Sequence, residues 1–474
     1  MVKKDTSRDL EFNLMDASIF KNKFKMNYYI ILTFIFVLNS FFRSEFICIL
    51  PLILLALIKK LNSQIIISSL ISSLLLIEVG NTINDSLSTP PLIRYLCLFA
   101  FTLYILVATQ SDFVKQFITT ILLFTSQVIS FSITNTPYRS INEAIVMLSY
   151  LGIIIFIGFR SLKENSYECN YDNSNLIINL GFIYGISLLV SNQFLIIFYS
   201  IDYNFLSSFS SLKGFILISL SLSLYKKGLI KSIPLVVLTF LVCIYTAART
   251  HILMFLLIMT LSILSFIFIQ IKEFHHKKSS SILSLFSMTG SLGFGIIYFK
   301  GILETEFPIK TLGVFYKVFE SQSLGINFEK ILLVIDPFRY YETREWVNSG
   351  INTIIFGNGL GSGINIKDLL FADISEMGAY SQKAMNSGIA YSLHDVWTWY
   401  GLSIGLIGMI IITIPIIFFR PYFKLDRFES HLLNLSLLFS FGTMWYSLSG
   451  NLLFWGIIAI LRKNNHYNNP SLND

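Results

Sequence analysis

The sequence predicts an all-α, polytopic integral membrane protein, and three observations lead to that class. Of 474 residues, 54% are hydrophobic and only 13% charged, against about 25% charged in an ordinary soluble domain. Mean hydropathy is +0.66. Apolar runs of about 17 to 25 residues, enough helix to cross roughly 30 Å of hydrocarbon, recur along the whole chain. Runs this long and this unalternating suit helices, whose backbone is satisfied internally, and not a barrel.

In chain order, residues 1–27 are polar and basic ahead of the first apolar run, so no cleavable signal is read there. Helices are predicted near 28–42, 46–58, 65–80, 91–109, 117–133, 142–160, 176–198, 205–224, 232–247, 251–271 and 281–299. After a long loop, 300–392, come helices near 393–419, 431–447 and 450–461 and a tail, 462–474. The total is about fourteen, or about twelve if the short first and last pairs do not each cross.

Lys and Arg set the orientation, because short cytoplasmic loops collect them. With the N-terminus inside, the inner loops hold Lys115, Arg160, Lys163, Lys226, Lys227, Arg420, Lys424, Arg427, Arg462 and Lys463, among others. The short outer loops and helix ends keep Arg43, Arg94, Arg139, Lys213 and Arg249. Both termini are then cytoplasmic. The net charge of +7 follows this loop pattern, so no nucleic-acid partner is predicted. Cys48, Cys97 and Cys243 lie in apolar runs and Cys169 in a polar loop, which makes no disulfide framework.

The loop of about ninety residues falls on the outer side, and a loop so long is uncommon unless functional or disordered. Phe315 to Val334 reads as amphipathic surface helix; Pro337 is expected to stop that pattern and Glu342 to Ile355 to resume it. Polar chemistry concentrates between Asp336 and Gly408. Arg344 stands two residues before Trp346, with Arg339 five residues earlier. Arg249 sits with His251 in T-A-A-R-T-H, at the outer junction of two apolar runs. Guanidiniums converging at the outer leaflet would suit a diphosphate, since the planar fork binds phosphate oxygens in pairs. Arg94, after Pro90-Pro91 and near Glu78 and Asp85, is a weaker addition of the same kind.

His394 opens an apolar helix beside Asp395, ahead of Trp397 and Trp399. A histidine there can take a proton from a sugar hydroxyl, and Asp395 can hold its tautomer or cap the helix. In G-N-G-L-G-S-G, Gly357, Gly359 and Gly361 do not read as a nucleotide loop, since no strand precedes them in a βαβ unit. They are expected to let the chain turn tightly and approach another backbone. Gly401, Gly405 and Gly408 recur on one helix face, where close packing explains them, and no broken helix is read. No His, Cys, Asp or Glu cluster has metal-ligand spacing, so neither metal nor cofactor is predicted.

These segments together resemble the O-antigen ligase and O-antigen polymerase superfamily, polytopic enzymes that move lipid-carried glycans outside the cytoplasm. H-D, nine residues, then G-L-I-G (His394 to Gly408) matches the ligases' His motif in spacing, with Asp395 where the family usually has Asn, Ser or Gln. R-E-W followed by I-F-G-N-G-L-G resembles the family's Arg and Trp segment leading into spaced glycines. T-A-A-R-T resembles its Thr-x-Ser-Arg segment, with Ala248 for Ser. The likeness runs from Tyr245 to Gly408. It implies a bacterial inner-membrane, metal-independent, inverting glycosyltransferase with its active site on the periplasmic face. Its donor would be an undecaprenyl-diphosphate-linked glycan and its acceptor a glycan or lipid A core. Arg249, Arg344 and Arg339 would bind the diphosphate and His394 would activate the acceptor hydroxyl. Other polysaccharide-assembly membrane proteins are the partners so implied. The His motif leans toward ligase, while Arg339 and Gly350, with ten residues between them, echo a polymerase signature. A transporter or flippase for the same lipid-linked glycan is the alternative from another class.

Overall fold

A computed structural model describes residues 28–38, 47, 49–57, 63–81, 91–134, 138–163, 173–199, 210–245, 249–274, 337–366, 382–391, 393, 396–444 and 447–463. The predicted helix at 281–299, the surface helices of 315–334, and His394 with Asp395 lie outside these residues.

The described chain is mostly helical. In order come α1 (Tyr28–Leu38), α2 (Leu50–Leu57), α3 (Ser63–Asn81), α4 (Pro91–Ala108), α5 (Phe113–Ile133), α6 (Ile141–Gly158), α7 (Asn173–Tyr199), α8 (Ser210–Lys227), α9 (Leu229–Tyr245) and α10 (Arg249–Phe274). Then follow α11 (Pro337–Asn348), α12 (Ile351–Phe356), α13 (Gln382–Ser387), α14 (Val396–Ile417), α15 (Arg427–Met444) and α16 (Leu448–Leu461). Among the described residues, four stretches are long and apolar enough to cross a membrane: Phe113–Ile133, Ile141–Gly158, Asn173–Ser191 and Trp397–Ile417.

Helix starts follow ordinary capping chemistry. Asp112 accepts from the Lys115 N–H at the head of α5, and Ser447 from the Gly450 N–H at the head of α16. Asp426 and Glu429 cap α15 reciprocally, each carboxylate taking the other's backbone N–H. Helix resumes earlier than the sequence reading has it, at Pro337 and not at Glu342. Proline lacks only a donor that a first helical residue would leave idle, so it opens α11. Gly350, at φ +97°, then separates α11 from α12.

Two helices form the pillars of the bundle. α8 packs on α7, α9, α10 and α15, and its residues 211–225 are all buried; α16 packs on α3, α4 and α6 and is buried from Ser449 to Leu461. The buried polar residues are mainly serines, several of which bond their own helix four residues back, such as Ser68 to Gln64, Ser221 to Leu217 and Ser436 to Leu432. Two charged residues are nonetheless fully buried, Lys213 in α8 and Glu342 in α11. The outside is the reverse of a soluble surface: Phe113, Phe117, Phe124, Leu148 and Phe156 on α5 and α6 are all exposed.

The helical class holds, and two short antiparallel ribbons staple helix ends. β1 (Thr109–Ser111) pairs with β2 (Arg160–Leu162), and β3 (Ile364–Asn365) with β4 (Ile389–Ala390). The first ribbon marks a basic end of the bundle, where Lys115, Arg160, Lys163, Arg420, Arg462 and Lys463 gather. Arg160 there donates to the Thr109 hydroxyl and carbonyl and to the Leu106 carbonyl, and burial pulls its pKa down. The second ribbon lies at the opposite end.

Candidate functional site

At that opposite end a glycine loop crosses a broken helix. α14 is interrupted at Gly405, which has φ +65° and ψ 180°, a region essentially closed to other residues. In an unbroken helix the carbonyls of Leu402 and Ser403 would accept from residues four further on. Here they accept instead from the loop, Asn358 N–H to Leu402 O at 2.6 Å and Gly359 N–H to Ser403 O at 3.0 Å. The contact is backbone on backbone. A Cβ at Gly357 would stand 2.5 Å from the Ser403 oxygen, and one at Gly405 would stand 2.3 Å from the Ile355 oxygen.

The rest of the loop is pinned with equal completeness, as buried backbone polar groups must be. Ser130 of α5 donates to the Gly357 carbonyl at 2.7 Å, and Arg139 Nη2 donates to the Asn358 carbonyl at 3.2 Å. Ser362 donates to the Gly359 carbonyl, and the Ser140 N–H to the Gly361 carbonyl at 2.9 Å. The Thr353 hydroxyl bonds the Asn358 side-chain oxygen at 2.8 Å. Arg139 also lies over the Phe131 ring, 4.4 Å from its centroid.

This crossing floors an open cleft of about 450 Å³. Its walls mix polar and apolar residues: Thr134 and Tyr138 from the α5–α6 turn, Glu345 of α11 and Ser349 just after it, and Asn352, Thr353, Asn358 and Asn365 beyond, beside Ile133, Ile351, Ile364 and Leu402. Neutral amides, hydroxyls and one carboxylate around an open cavity are the groups that bond sugar hydroxyls. α11 is held to α14 by the Thr343–Thr398 hydroxyl pair at 3.1 Å and by Trp346, whose ring would meet a Cβ at Gly401 at 2.5 Å.

The structure brings Trp346, Gly357, Gly359, Gly361 and Gly405 into this one construction. Arg344 is exposed on α11, immediately before Glu345 of the lining. Arg339 belongs to the first turn of α11 and Arg249 opens α10, but their side chains, like His394 and Asp395, are outside the described residues. The residues flanking that pair are fixed. Leu393 is buried, β4 pairs with β3 at the cleft wall, and Trp399 donates its Nε1–H to the Tyr391 carbonyl at 3.0 Å.

His251 is buried in α10, which packs on α8, α9 and α15, and Arg94 lies on α4, which packs on α3 and α16; neither lines the cleft. The Arg94 Nε is sealed from solvent with no partner. At Gly408 a side chain would meet only Ile404 of its own helix. The sequence reading of an unbroken helix is thus overturned at Gly405. Arg139, counted there as an ordinary outer-loop charge, holds the glycine loop through the Asn358 carbonyl; its partner is sequence-distant, and the sequence signal consists only of a cation between two helices.

No family model, no characterised protein and no solved structure matches this chain.

Proposed function

We propose that this chain is a polytopic membrane glycosyltransferase whose cleft takes the sugar-diphosphate end of an undecaprenyl-diphosphate-linked glycan. The acceptor's hydroxyl oxygen attacks the anomeric carbon with inversion as the carbon–oxygen bond to the diphosphate breaks. The hydroxyl proton passes to His394, and the diphosphate leaves as an anion that Arg344, Arg339 and Arg249 neutralise. Arg139, already on the glycine loop, joins that set.

The observation that carries this reading is a partly polar cleft beside a broken helix in an apolar bundle. Gly405 lies nine residues beyond Val396, about 14 Å along the helix and so near mid-bilayer if α14 spans it. Irregular backbone at that depth is tolerated where protein encloses it or water reaches it. A polar pit of this kind admits a head group from the interface while its lipid stays in the bilayer. The exposed apolar faces of α5 and α6 and the gathering of basic residues at the far end support a spanning bundle with that far end cytoplasmic. The cleft is then periplasmic.

A transporter for the same lipid-linked glycan is the second reading, and the interruption of α14 is the observation that favours it, since transporters build sites from discontinuous helices. One experiment separates them. Purified protein in proteoliposomes is given undecaprenyl-diphosphate-linked glycan with EDTA present, wild type beside His394→Ala. A ladder of growing repeat number means polymerase, and a single addition to a lipid core means ligase. Donor crossing the bilayer with no new glycosidic bond refutes the transferase.

A further inference from the structure

At the basic end, α5, α6, α14 and α16 enclose a second cavity, of about 160 Å³, whose lining includes Asp112, Lys115, Phe418, Arg420, Arg462 and Lys463. Asp112 and Lys115 neutralise each other as an ion pair at 2.5 Å. The other three cations are forced together by backbone. Pro421 and Arg462 form an antiparallel bridge, and the Lys463 N–H donates to the Arg420 carbonyl at 2.8 Å. Like charges held this close repel, and more so away from water.

Arg462 is the most constrained of them. One Nη donates to the Pro415 carbonyl, while Nε is sealed from solvent and has no partner. Burial pushes its pKa down to about 10, against the upward pull of Asp112. With Asp112 engaged by Lys115, the guanidinium of Arg462 and the basic side chains of Arg420 and Lys463 leave the lining with a positive excess, which an anion with several acceptor oxygens would complete. Phe418 supplies the last particular. It forms part of the lining yet is 70% exposed, on the apolar outside of the bundle. A free anion would have no use for that wall, whereas the chains of a lipid would lie along it.

We propose that this cavity binds the phosphate of an anionic glycerophospholipid from the leaflet at the basic end. The proposal rests on the membrane-spanning part of the reading above and not on glycan transfer. The test therefore uses no glycan donor, and a protein inactive in transfer that still selects the lipid retains it.

The full-length protein in detergent is titrated with phosphatidylglycerol, phosphatidylcholine or inorganic phosphate, with bound lipid counted by native mass spectrometry and melting followed in parallel. Phosphatidylglycerol is expected to bind and raise the melting temperature, and phosphatidylcholine is not. Arg420→Gln, which alters an exposed side chain and leaves the core intact, weakens phosphatidylglycerol about tenfold, the value of one charge-assisted pair. Arg462→Lys, which keeps the charge and loses the fork, weakens it similarly. Equal binding of the two lipids overturns the proposal, as does a preference unchanged in both variants. Inorganic phosphate that displaces phosphatidylglycerol and stabilises as well would assign the cavity to a free phosphate and overturn the lipid.

Discussion

Replacing Gly405 by alanine puts a methyl group where the glycine loop crosses α14. The Cβ would stand 2.3 Å from the Ile355 oxygen and 2.4 Å from the Gly357 nitrogen. Both are backbone atoms, so no rotamer change relieves the clash. Holding a non-glycine residue at φ +65°, ψ 180° costs about 1–3 kcal/mol, and forcing the neighbouring backbone aside costs about 1–3 kcal/mol more. The alternative is withdrawal of the loop, which breaks the Asn358–Leu402 and Gly359–Ser403 hydrogen bonds and leaves two buried carbonyls without donors, at about 1–3 kcal/mol each.

Either route amounts to about 3 kcal/mol or more, close to a hundredfold in a local opening equilibrium. Hydrogen exchange in detergent should show the amides of Asn358 and Gly359 exchanging about a hundredfold faster, with transfer activity lost. Gly152→Ala is the control. Nothing lies within 4 Å of its Cβ position in the middle of α6, so it should leave the loop unchanged and favour its helix by about 0.5–1 kcal/mol. Wild-type protection at Asn358 and Gly359 in Gly405→Ala would refute the crossing.

Ser130→Ala removes the hydroxyl that holds the Gly357 carbonyl at 2.7 Å; a melting shift equivalent to about 1–2 kcal/mol is expected, with faster exchange confined to the loop. His394→Ala should abolish transfer without loss of expression, and product formed at the wild-type rate would remove His394 from the mechanism. Arg344→Ala should do the same, and Arg344→Lys should recover little, because a point charge does not replace the fork; full recovery would make Arg344 a nonspecific charge. Arg139→Ala should lower donor binding and also loosen the loop, whereas Arg139→Lys should restore part of the binding alone, separating its charge from its hydrogen bond to Asn358.

The bundle was legible wherever an apolar run had its own punctuation. The run predicted at 91–109 became α4, with Pro91 as its first residue, and 65–80 became α3 between Ser63 and Asn81. The 393–419 run was read as one helix because glycine inside an apolar stretch lowers helix preference without naming an alternative. What breaks it is Gly357, which lies forty-eight residues earlier and meets it only in the folded chain. For the same reason the glycine loop was legible as a close backbone approach but its target was not. The ribbons were invisible because two or three residues carry no strand period, and β1 finds its partner across the whole of α5 and α6. Lys213 read as an ordinary charge of an outer loop or helix end and Glu342 as the start of an amphipathic surface segment; their burial depends on neighbours that no local window contains.

The break in α14 and the glycine loop are best understood as one structure, because neither satisfies its hydrogen bonds alone. A helix end buried among apolar helices leaves carbonyls with no water to bond, at about 1–3 kcal/mol for each group. A loop sunk to the same depth leaves amide hydrogens equally stranded. At the crossing the two deficits are complementary, the loop's Asn358 and Gly359 donors meeting the Leu402 and Ser403 acceptors that the break releases. The pairing demands an approach that only glycine on both sides permits, which places the need for Gly357 and Gly405 in packing as well as in backbone angle. With the main chain consumed in this way, the side chains of Thr353, Asn352 and Asn365 and the rim charge of Glu345 are left facing a cavity that the apolar bundle would otherwise exclude. The chain thereby holds a partly polar surface among its apolar helices, with β3 and the glycine loop contributing to its lining.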